Sequence, residues 1–246
     1  MSSVDQCAQL IRESKNIAVL TGAGISTNAG IPDFRGPQGL YVTKRYDADK
    51  IFDIGYFYKD QEPFYEFARD FVTLEEKIKP TFTHRFLAGL EEQGKLKGIV
   101  TQNIDALHQR AGSKNIFEMH GSIWQSYCLD CDKEFNYDLM KAKIFKENVP
   151  RCECSGVIKP DIVFFGEAVK HFDQSAALAA QSDLFFVIGT SCVVYPAAMI
   201  PSYAGGKIVV INKGPVEFDS AQVALTVQDD IDEYFKKVAE NLEIKL

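Results

Sequence analysis

The chain has 246 residues, 46% hydrophobic and 25% charged, which is enough apolar material for one large domain or a domain carrying a small insert. A formal net charge of −7 argues against a general binder of nucleic-acid phosphates and mildly favours a basic peptide as partner. No window approaches the roughly 18 unbroken apolar residues of a membrane span, and the N-terminal stretch has no signal-peptide core, so a cytoplasmic protein is expected. A monomer is expected as well, although no residue pattern fixes the oligomeric state.

Residues 4–14 fit an amphipathic helix, because Val4, Cys7, Ala8 and Ile11 share a face. The apolar run at 17–20 reads as a buried parallel strand, and Gly22-Ala23-Gly24 follows it. Ser26 and Thr27 are then placed to cap a helix whose free N–H groups attract phosphate. The third glycine of a G-x-G-x-x-G dinucleotide fingerprint would fall at position 27, which is Thr. Instead Pro32-Asp33-Phe34-Arg35 comes shortly after. From 36 to 79 the pattern loosens and is rich in Phe and Tyr, with Phe64, Phe67, Ala68 and Phe71 marking one helical face. A second helix is expected over 80–94, with Pro at its start and Gly at its stop.

A short strand at 98–101 runs into Gln102-Asn103-Ile104-Asp105, and a helical pattern follows to Arg110. Another strand ends at His120-Gly121. Buried strands are expected at 162–165, 184–188 and 208–211, with an Ala-rich helix at 172–181 and a closing helix at 231–242. Alternation of short apolar strands with helices points to an α/β fold built on a doubly wound parallel sheet.

Six cysteines interrupt this pattern, and four of them come as close pairs, Cys128/Cys131 and Cys152/Cys154. Without an export signal a disulfide framework is not the expected use. Two pairs about twenty residues apart read as a closed four-thiolate zinc site, which leaves no open position for catalysis and is therefore structural. The second pair is Cys-Glu-Cys, one residue tighter than Cys-x-x-Cys, and the competing reading is an incidental or redox-active pair.

In open α/β sheets ligands sit beyond the carboxyl ends of the strands, so the residues after each strand nominate the site. These are Gly22-Ala23-Gly24, Gln102-Asn103-Ile104-Asp105, His120-Gly121, Gly166-Glu167, Gly189-Thr190-Ser191 and Asn212-Lys213. Most are small or amide side chains suited to ribose and phosphate. His120 is delivered to this edge by a strand, whereas His108, His84 and His171 fall within or beside helices and read as structural. No acid follows a second strand to hold an adenine ribose, which weakens an oxidoreductase reading.

Taken in order, Gly-Ala-Gly-Ile-Ser, Pro-Asp-Phe-Arg, Gln-Asn-Ile-Asp, His-Gly, the paired cysteines, Phe-Phe-Gly-Glu and Gly-Thr-Ser resemble the sirtuin family of NAD-dependent protein deacylases across essentially the whole chain. The resemblance implies a Rossmann-like domain from residues 1–35, 80–121 and 159–246, with a helical insertion at 36–79 and a zinc-ribbon insertion at 122–158 forming a small module. It implies NAD as cofactor, one structural zinc on Cys128, Cys131, Cys152 and Cys154, and an acetyl-lysine peptide as substrate.

By the same resemblance, Gly22, Ala23, Gly24, Thr27, Asp33, Phe34 and Arg35 line the NAD site from the first loop, with Phe34 covering the ribose. Gln102, Ile104, Gly189, Thr190, Ser191, Asn212 and Lys213 line it from later strands, and Asp230 and Ile231 resemble an adenine contact. Asn103 and Asp105 would form the nicotinamide pocket, and His120 would act as the general base. The peptide would add as a strand between the segments around Val163, Phe165, Gly166, Glu167 and Val194. Members that take succinyl or malonyl lysine share a Tyr-x-x-Arg pair. Here Tyr65 is followed by Arg69 one position late, rotated by about 100° around a helix, which implies a neutral acyl group. The alternatives are mono-ADP-ribosyl transfer or NAD hydrolysis at the same site, removal of other neutral acyl groups, and a non-enzymatic scaffold.

Overall fold

The computed structural model describes residues 1–32, 46–75 and 77–244. Its strands are β1 (Ile17–Thr21), β2 (Leu96–Thr101), β3 (Ile116–Glu118), β4 (Gly121–Cys128), β5 (Glu134–Asn136), β6 (Ile158–Ile162), β7 (Leu184–Ile188), β8 (Lys207–Asn212) and β9 (Val223–Gln228). The main sheet is parallel throughout, in the order β3-β2-β1-β7-β8-β9. Counting only its own strands, that is the doubly wound 3-2-1-4-5-6 order, whose direction reverses between β1 and β7. A crevice opens at such a reversal, because the connections on either side leave toward opposite faces.

Side-chain alternation explains why these strands are apolar at every position. Ile17, Val19, Phe186, Ile188, Val209 and Ile211 enter one core, against helices Ser3–Glu13, Phe82–Glu92 and Ile231–Asn241. Their neighbours Ala18, Leu20, Phe185, Val187, Ile208 and Val210 enter the opposite core, against helix Phe172–Ala180 and the 3-10 helix Ala197–Tyr203. Both faces of the sheet are covered, so neither has a polar register.

The chain leaves this sheet after β3 and builds a second, antiparallel one in the order β5-β4-β6. The strand expected at 162–165 in the parallel sheet is therefore not there: the strand lies at Ile158–Ile162 and pairs with β4. Its apolar run continues past the strand because Phe164 turns into a core. That core joins Phe52, Phe57, Phe64, Tyr65 and Phe67 to Phe135, Met140, Ile144 and Ile158. Its rings meet edge-on, as between Phe57 and Phe164 at 5.2 Å and 88°, a geometry favoured by the aromatic quadrupole.

Local signals set the helix limits. Ser2 and Asp5 form a reciprocal capping box at the first helix, worth about 1 kcal/mol. The helix expected from Pro80 begins instead at Phe82, because Thr81 caps it. Ser26 and Thr27 do not cap a helix: both lie inside the 3-10 helix Ala23–Ala29, which starts at Gly22 with no side-chain cap. Thr27 Oγ1 turns back to the Gly24 carbonyl at 3.0 Å. Strand β9 escaped the sequence reading because it lies at the sheet edge and is half solvated, although Val223, Leu225 and Val227 carry its period-two signal. No helix among the described residues is long and apolar enough to cross a membrane.

Candidate active site at the carboxyl edge of the sheet

The residues following β1 and β7 meet at the reversal point. Gly22 N–H donates to the Ile188 carbonyl at 3.0 Å, and Gly24 N–H to the Gly189 carbonyl at 2.8 Å. The loops touch backbone to backbone: a Cβ on Gly24 would fall 2.8 Å from Gly189 Cα, and one on Gly189 would fall 2.5 Å from Ile25 N. Gly189 also has φ of +66°, so only glycine serves there without strain. Thr190 is buried, and its Oγ1 accepts from Gln102 Nε2 at 3.1 Å, tying the β7 loop to the β2 loop.

The Gln102–Asp105 segment is held at many points. Gln102 N–H donates to the Thr21 carbonyl at 2.9 Å, and Asn103 N–H to Thr101 Oγ1 at 3.1 Å. Asn103 Nδ2 reaches the Gly22 carbonyl and Ser26 Oγ, each at 3.2 Å. Ser26 Oγ donates in turn to Asp105 Oδ2 at 2.6 Å, while Asp105 Oδ1 accepts Leu107 N–H at 2.9 Å. Asp105 is almost fully buried. The next residue, Ala106, sits at φ 56° and ψ 18°, a left-handed conformation costing a side-chain-bearing residue about 1–2 kcal/mol. The carboxylate therefore organises a strained turn as well as the polar cluster.

Behind this segment Thr21 Oγ1 bonds Thr101 Oγ1 and His108 Nε2, both at 2.9 Å. His108 is buried and packs on His84, with ring centroids 4.7 Å apart, and burial holds both imidazoles below the usual histidine range. The structural reading of these two histidines agrees with that placement.

His120 is placed differently. It lies between β3 and β4, and its Nδ1 donates to the Gln102 carbonyl at 2.8 Å. A carbonyl only accepts, so the proton is on Nδ1 and the lone pair is on Nε2. Burial pushes its pKa below the ordinary histidine value, and the Gln102 carbonyl pulls partly the other way. Burial thus favours the neutral ring, whose free acceptor is Nε2. Its own carbonyl accepts from Val163 N–H at 2.8 Å, which anchors the following loop.

In that loop strand alternation separates two phenylalanines: Phe164 is buried, whereas Phe165 is 47% exposed. Phe165 N–H donates to the Phe52 carbonyl at 2.7 Å, and its carbonyl accepts Ile54 N–H at 3.1 Å. Gly166 has φ of +96°. Glu167 turns inward rather than toward the open side, its Oε2 accepting from Lys159 Nζ at 2.9 Å and Phe164 N–H at 2.8 Å. Val194 is half-buried, and its carbonyl caps the next turn through Ala198 N–H at 2.9 Å.

The remaining candidates are dispersed along the edge. Ile104 lines an apolar recess with Phe64, Phe67 and Ile162. Asn212 Nδ2 folds back on the Gly214 carbonyl at 3.0 Å, and Lys213 is exposed. The Asp230 carboxylate caps helix Ile231–Asn241 and accepts Asn28 Nδ2 at 3.0 Å, while the Ile231 side chain packs in the core. Ala23 and Ser191 are half-buried at the reversal point and Thr27 is exposed. Asp33, Phe34 and Arg35 lie outside the described residues. The sequence reading gave Ser26 a capping role and Thr21 none, whereas Ser26 bridges Asn103 and Asp105 and Thr21 ties β1 to β2 and His108; the only signal was that small hydroxyl residues flank the glycine pair.

Away from the sheet edge the four cysteines converge. Their Sγ atoms all lie within 4.8 Å of one another, with Cys128 and Cys131 each 3.4 Å from Cys154 and Cys131 3.7 Å from Cys152. Four thiolates at about 2.3 Å from a tetrahedral zinc would be separated by nearly 3.8 Å. The cluster fits one structural zinc ion, and Cys154 belongs to it despite the tight Cys-Glu-Cys spacing.

The Sir2 family model matches residues 22–196. The chain belongs to the Sir2 family. The NAD-dependent protein deacetylase of Thermotoga maritima is 42% identical to this Sir2-family chain over 237 residues, covering 94% of it and 95% of the relative. That of Sulfurisphaera tokodaii is 40% identical over 97% of this chain and 96% of its own length. Among solved structures, a Sir2 variant with a deacetylated p53 peptide and 3'-O-acetyl ADP-ribose superposes with a TM-score of 0.91 at 40% identity, covering 98% of this chain and 99% of the other. A Sir2–p53 peptide–NAD+ complex gives 0.90 at 39%, covering both chains fully.

Proposed function

We propose that this chain is an NAD-dependent protein lysine deacetylase, which transfers the acetyl group of acetyl-lysine to ADP-ribose and releases nicotinamide. The observation that carries the reading is the neutral His120, fixed through Nδ1 on the Gln102 carbonyl with Nε2 left basic, beside the Asn103–Asp105 cluster. Relatives about 40% identical along nearly their whole length are NAD-dependent protein deacetylases, which supports it.

The residues present fit NAD. Amides at Gln102 and Asn103 and hydroxyls at Thr190 and Ser191 follow the strands at the reversal, and Asn212 lies farther along the same edge, a mostly uncharged donor set suited to ribose and pyrophosphate. When bound, NAD supplies the nicotinamide–ribose bond whose cleavage makes the sugar carbon electrophilic. Asn103 and Asp105 would orient its carboxamide beside the buried Ser26, where a hydrogen bond counts for more than in water. His120 Nε2 would take the proton of a ribose hydroxyl, with the Gln102 carbonyl holding the imidazole in the tautomer that allows it. We assign the further NAD contacts to Gly22, Ala23, Gly24, Ile104, Gly189, Thr190, Asn212 and Lys213. Asp230 and Ile231 would contribute main-chain atoms only, since both side chains are otherwise engaged.

The peptide backbone would lie between the loops at 163–167 and 193–195, with Val163 and Phe165 beside the acyl-lysine. A neutral acyl group is favoured because neither Tyr65 nor Arg69 lines the recess, so the pair offers no site for an acyl carboxylate there, although Lys141 does border it. Arg69 Nη1 donates instead to the carbonyls of Ile144 and Asn148, both at 3.3 Å, at the end of helix Tyr137–Lys146, and the Tyr65 hydroxyl bonds the Ile158 carbonyl.

The test is an acetyl-lysine peptide incubated with and without NAD, with all products followed by mass. Deacetylation that requires NAD, with nicotinamide and O-acetyl-ADP-ribose formed in equal amounts, is the expected result. Nicotinamide release with the acetyl group untouched would overturn it in favour of NAD hydrolysis or ADP-ribosyl transfer.

A further inference from the structure

A lysine almost entirely removed from solvent sits under the loop that follows β6 and is tied to the His120 carbonyl. Lys159 lies on β6 with its side chain 1% exposed. Its Nζ donates to the Ile162 carbonyl at 2.7 Å and to Glu167 Oε2 at 2.9 Å, and it stands over the Phe164 ring at 4.3 Å. The Tyr127 ring lies farther off, at 5.9 Å. The same Glu167 oxygen accepts Phe164 N–H at 2.8 Å, and Glu167 N–H closes the turn on the Phe164 carbonyl at 3.0 Å. One ammonium thus holds both ends of the 162–167 segment, its entry through a carbonyl and its exit through a carboxylate.

Burying a lysine so completely is expensive, and burial does lower its pKa from the ordinary value while the Glu167 carboxylate raises it again. An apolar residue at 159 would fill the space between Phe164 and Tyr127 without that cost. What the cation adds is a tie between the two ends of the loop, across the left-handed Gly166 and the outward-facing Phe165. The opposite side of the loop is tied to the His120 carbonyl by Val163 N–H and to Phe52 by Phe165 N–H. Lys159 therefore presses the loop into the frame that also carries the base.

We propose that Lys159 is a positioning residue for substrate: its ammonium, through Ile162 and Glu167, sets the loop that receives acyl-lysine while contributing nothing to the NAD crevice. The inference rests on the deacetylase reading. The ion pair is not itself a substrate contact, and the Glu167 carboxylate is committed to the loop instead of being offered to the peptide.

The test compares wild type with Lys159→Met and with the double variant Lys159→Met/Glu167→Gln. The double variant leaves no buried charge unpaired and so carries the test if the single variant does not fold. Each is assayed for kcat and for the KM of an acetyl-lysine peptide, and NAD affinity is measured by calorimetry without peptide. The expected result is a peptide KM raised by about tenfold or more with NAD affinity within about twofold of wild type. A peptide KM within about twofold of wild type in a folded variant, or an NAD affinity falling in step with the KM, would overturn the proposal. Wild type inactive on every acyl peptide would fail the deacetylase reading itself, a separate outcome.

Discussion

At His120 a single backbone acceptor determines the chemistry. Because the Gln102 carbonyl engages Nδ1, protonating the ring means placing a proton on Nε2, and burial opposes the resulting charge. If His120 is the base proposed, it is active above its folded pKa and lost as pH falls through it. Since that pKa is below the ordinary 6.5, the acid limb of kcat/KM for deacetylation should have its midpoint below 6.5, and a limb centred above 7 would contradict the assignment. His120→Ala should lower kcat by about a hundredfold or more with unchanged melting. Ser26, which bridges Asn103 and Asp105, is the subtler case. Its removal strands partners in a buried cluster, and a loss of roughly 1–3 kcal/mol of transition-state stabilisation is expected for Ser26→Ala, read as a drop in kcat/KM.

At the scale of elements, the crevice exists because two strand–loop junctions share one small volume. β1 and β7 run parallel in register from Ile17 opposite Leu184 to Thr21 opposite Ile188, so their following loops emerge side by side. Only glycine at 24 and 189 lets the backbones touch. Gly189→Ala adds a left-handed alanine and a contact at 2.5 Å with Ile25 N. A stability loss of about 2 kcal/mol or more is expected, together with weakened NAD binding, measured by denaturant melts and calorimetry. Native NAD affinity in a folded Gly189→Ala protein would show that the junction is tolerant and the crevice lies elsewhere. The short 3-10 helix between these loops carries Ser26 inward and leaves Thr27 outside, a split that a regular capped helix at the same place would not produce.

The whole molecule divides its stability between unlike cores. The parallel sheet is stabilised by two cores, one on each face, in which Ile, Leu, Val and Ala outnumber rings such as Phe86, Phe186 and Phe235. The antiparallel sheet depends on an aromatic core and on the cysteine cluster, and it contributes β6, from which the 163–167 loop departs. Zinc binding to such a cluster is folding energy, on the order of 10 kcal/mol in small zinc modules. Chelating the metal should therefore abolish deacetylation while the parallel sheet keeps its circular-dichroism signal and a separate, later melting transition. One zinc per chain by elemental analysis is expected beforehand. Activity surviving complete removal would mean that the aromatic core alone holds the substrate loop.

Much of this arrangement was legible in the residues themselves. Apolar runs at 17–20, 184–188 and 208–211 could only be strands covered on both faces, and their spacing by helices demanded a parallel sheet. The glycine pair, the Gln-Asn-Ile-Asp segment, the His-Gly step and the paired cysteines marked the chemistry, since few other uses need those residue types in that order. The run at 162–165 misled, because an apolar stretch does not reveal which sheet it joins or where it stops being a strand; that is decided by pairing with β4. Nor do residue types announce the tautomer of His120, the inward turn of Glu167 or the burial of Lys159. Those depend on which carbonyl or carboxylate a distant segment places beside them, and such contacts come into being only when the tertiary fold brings loops separated by many residues to one edge.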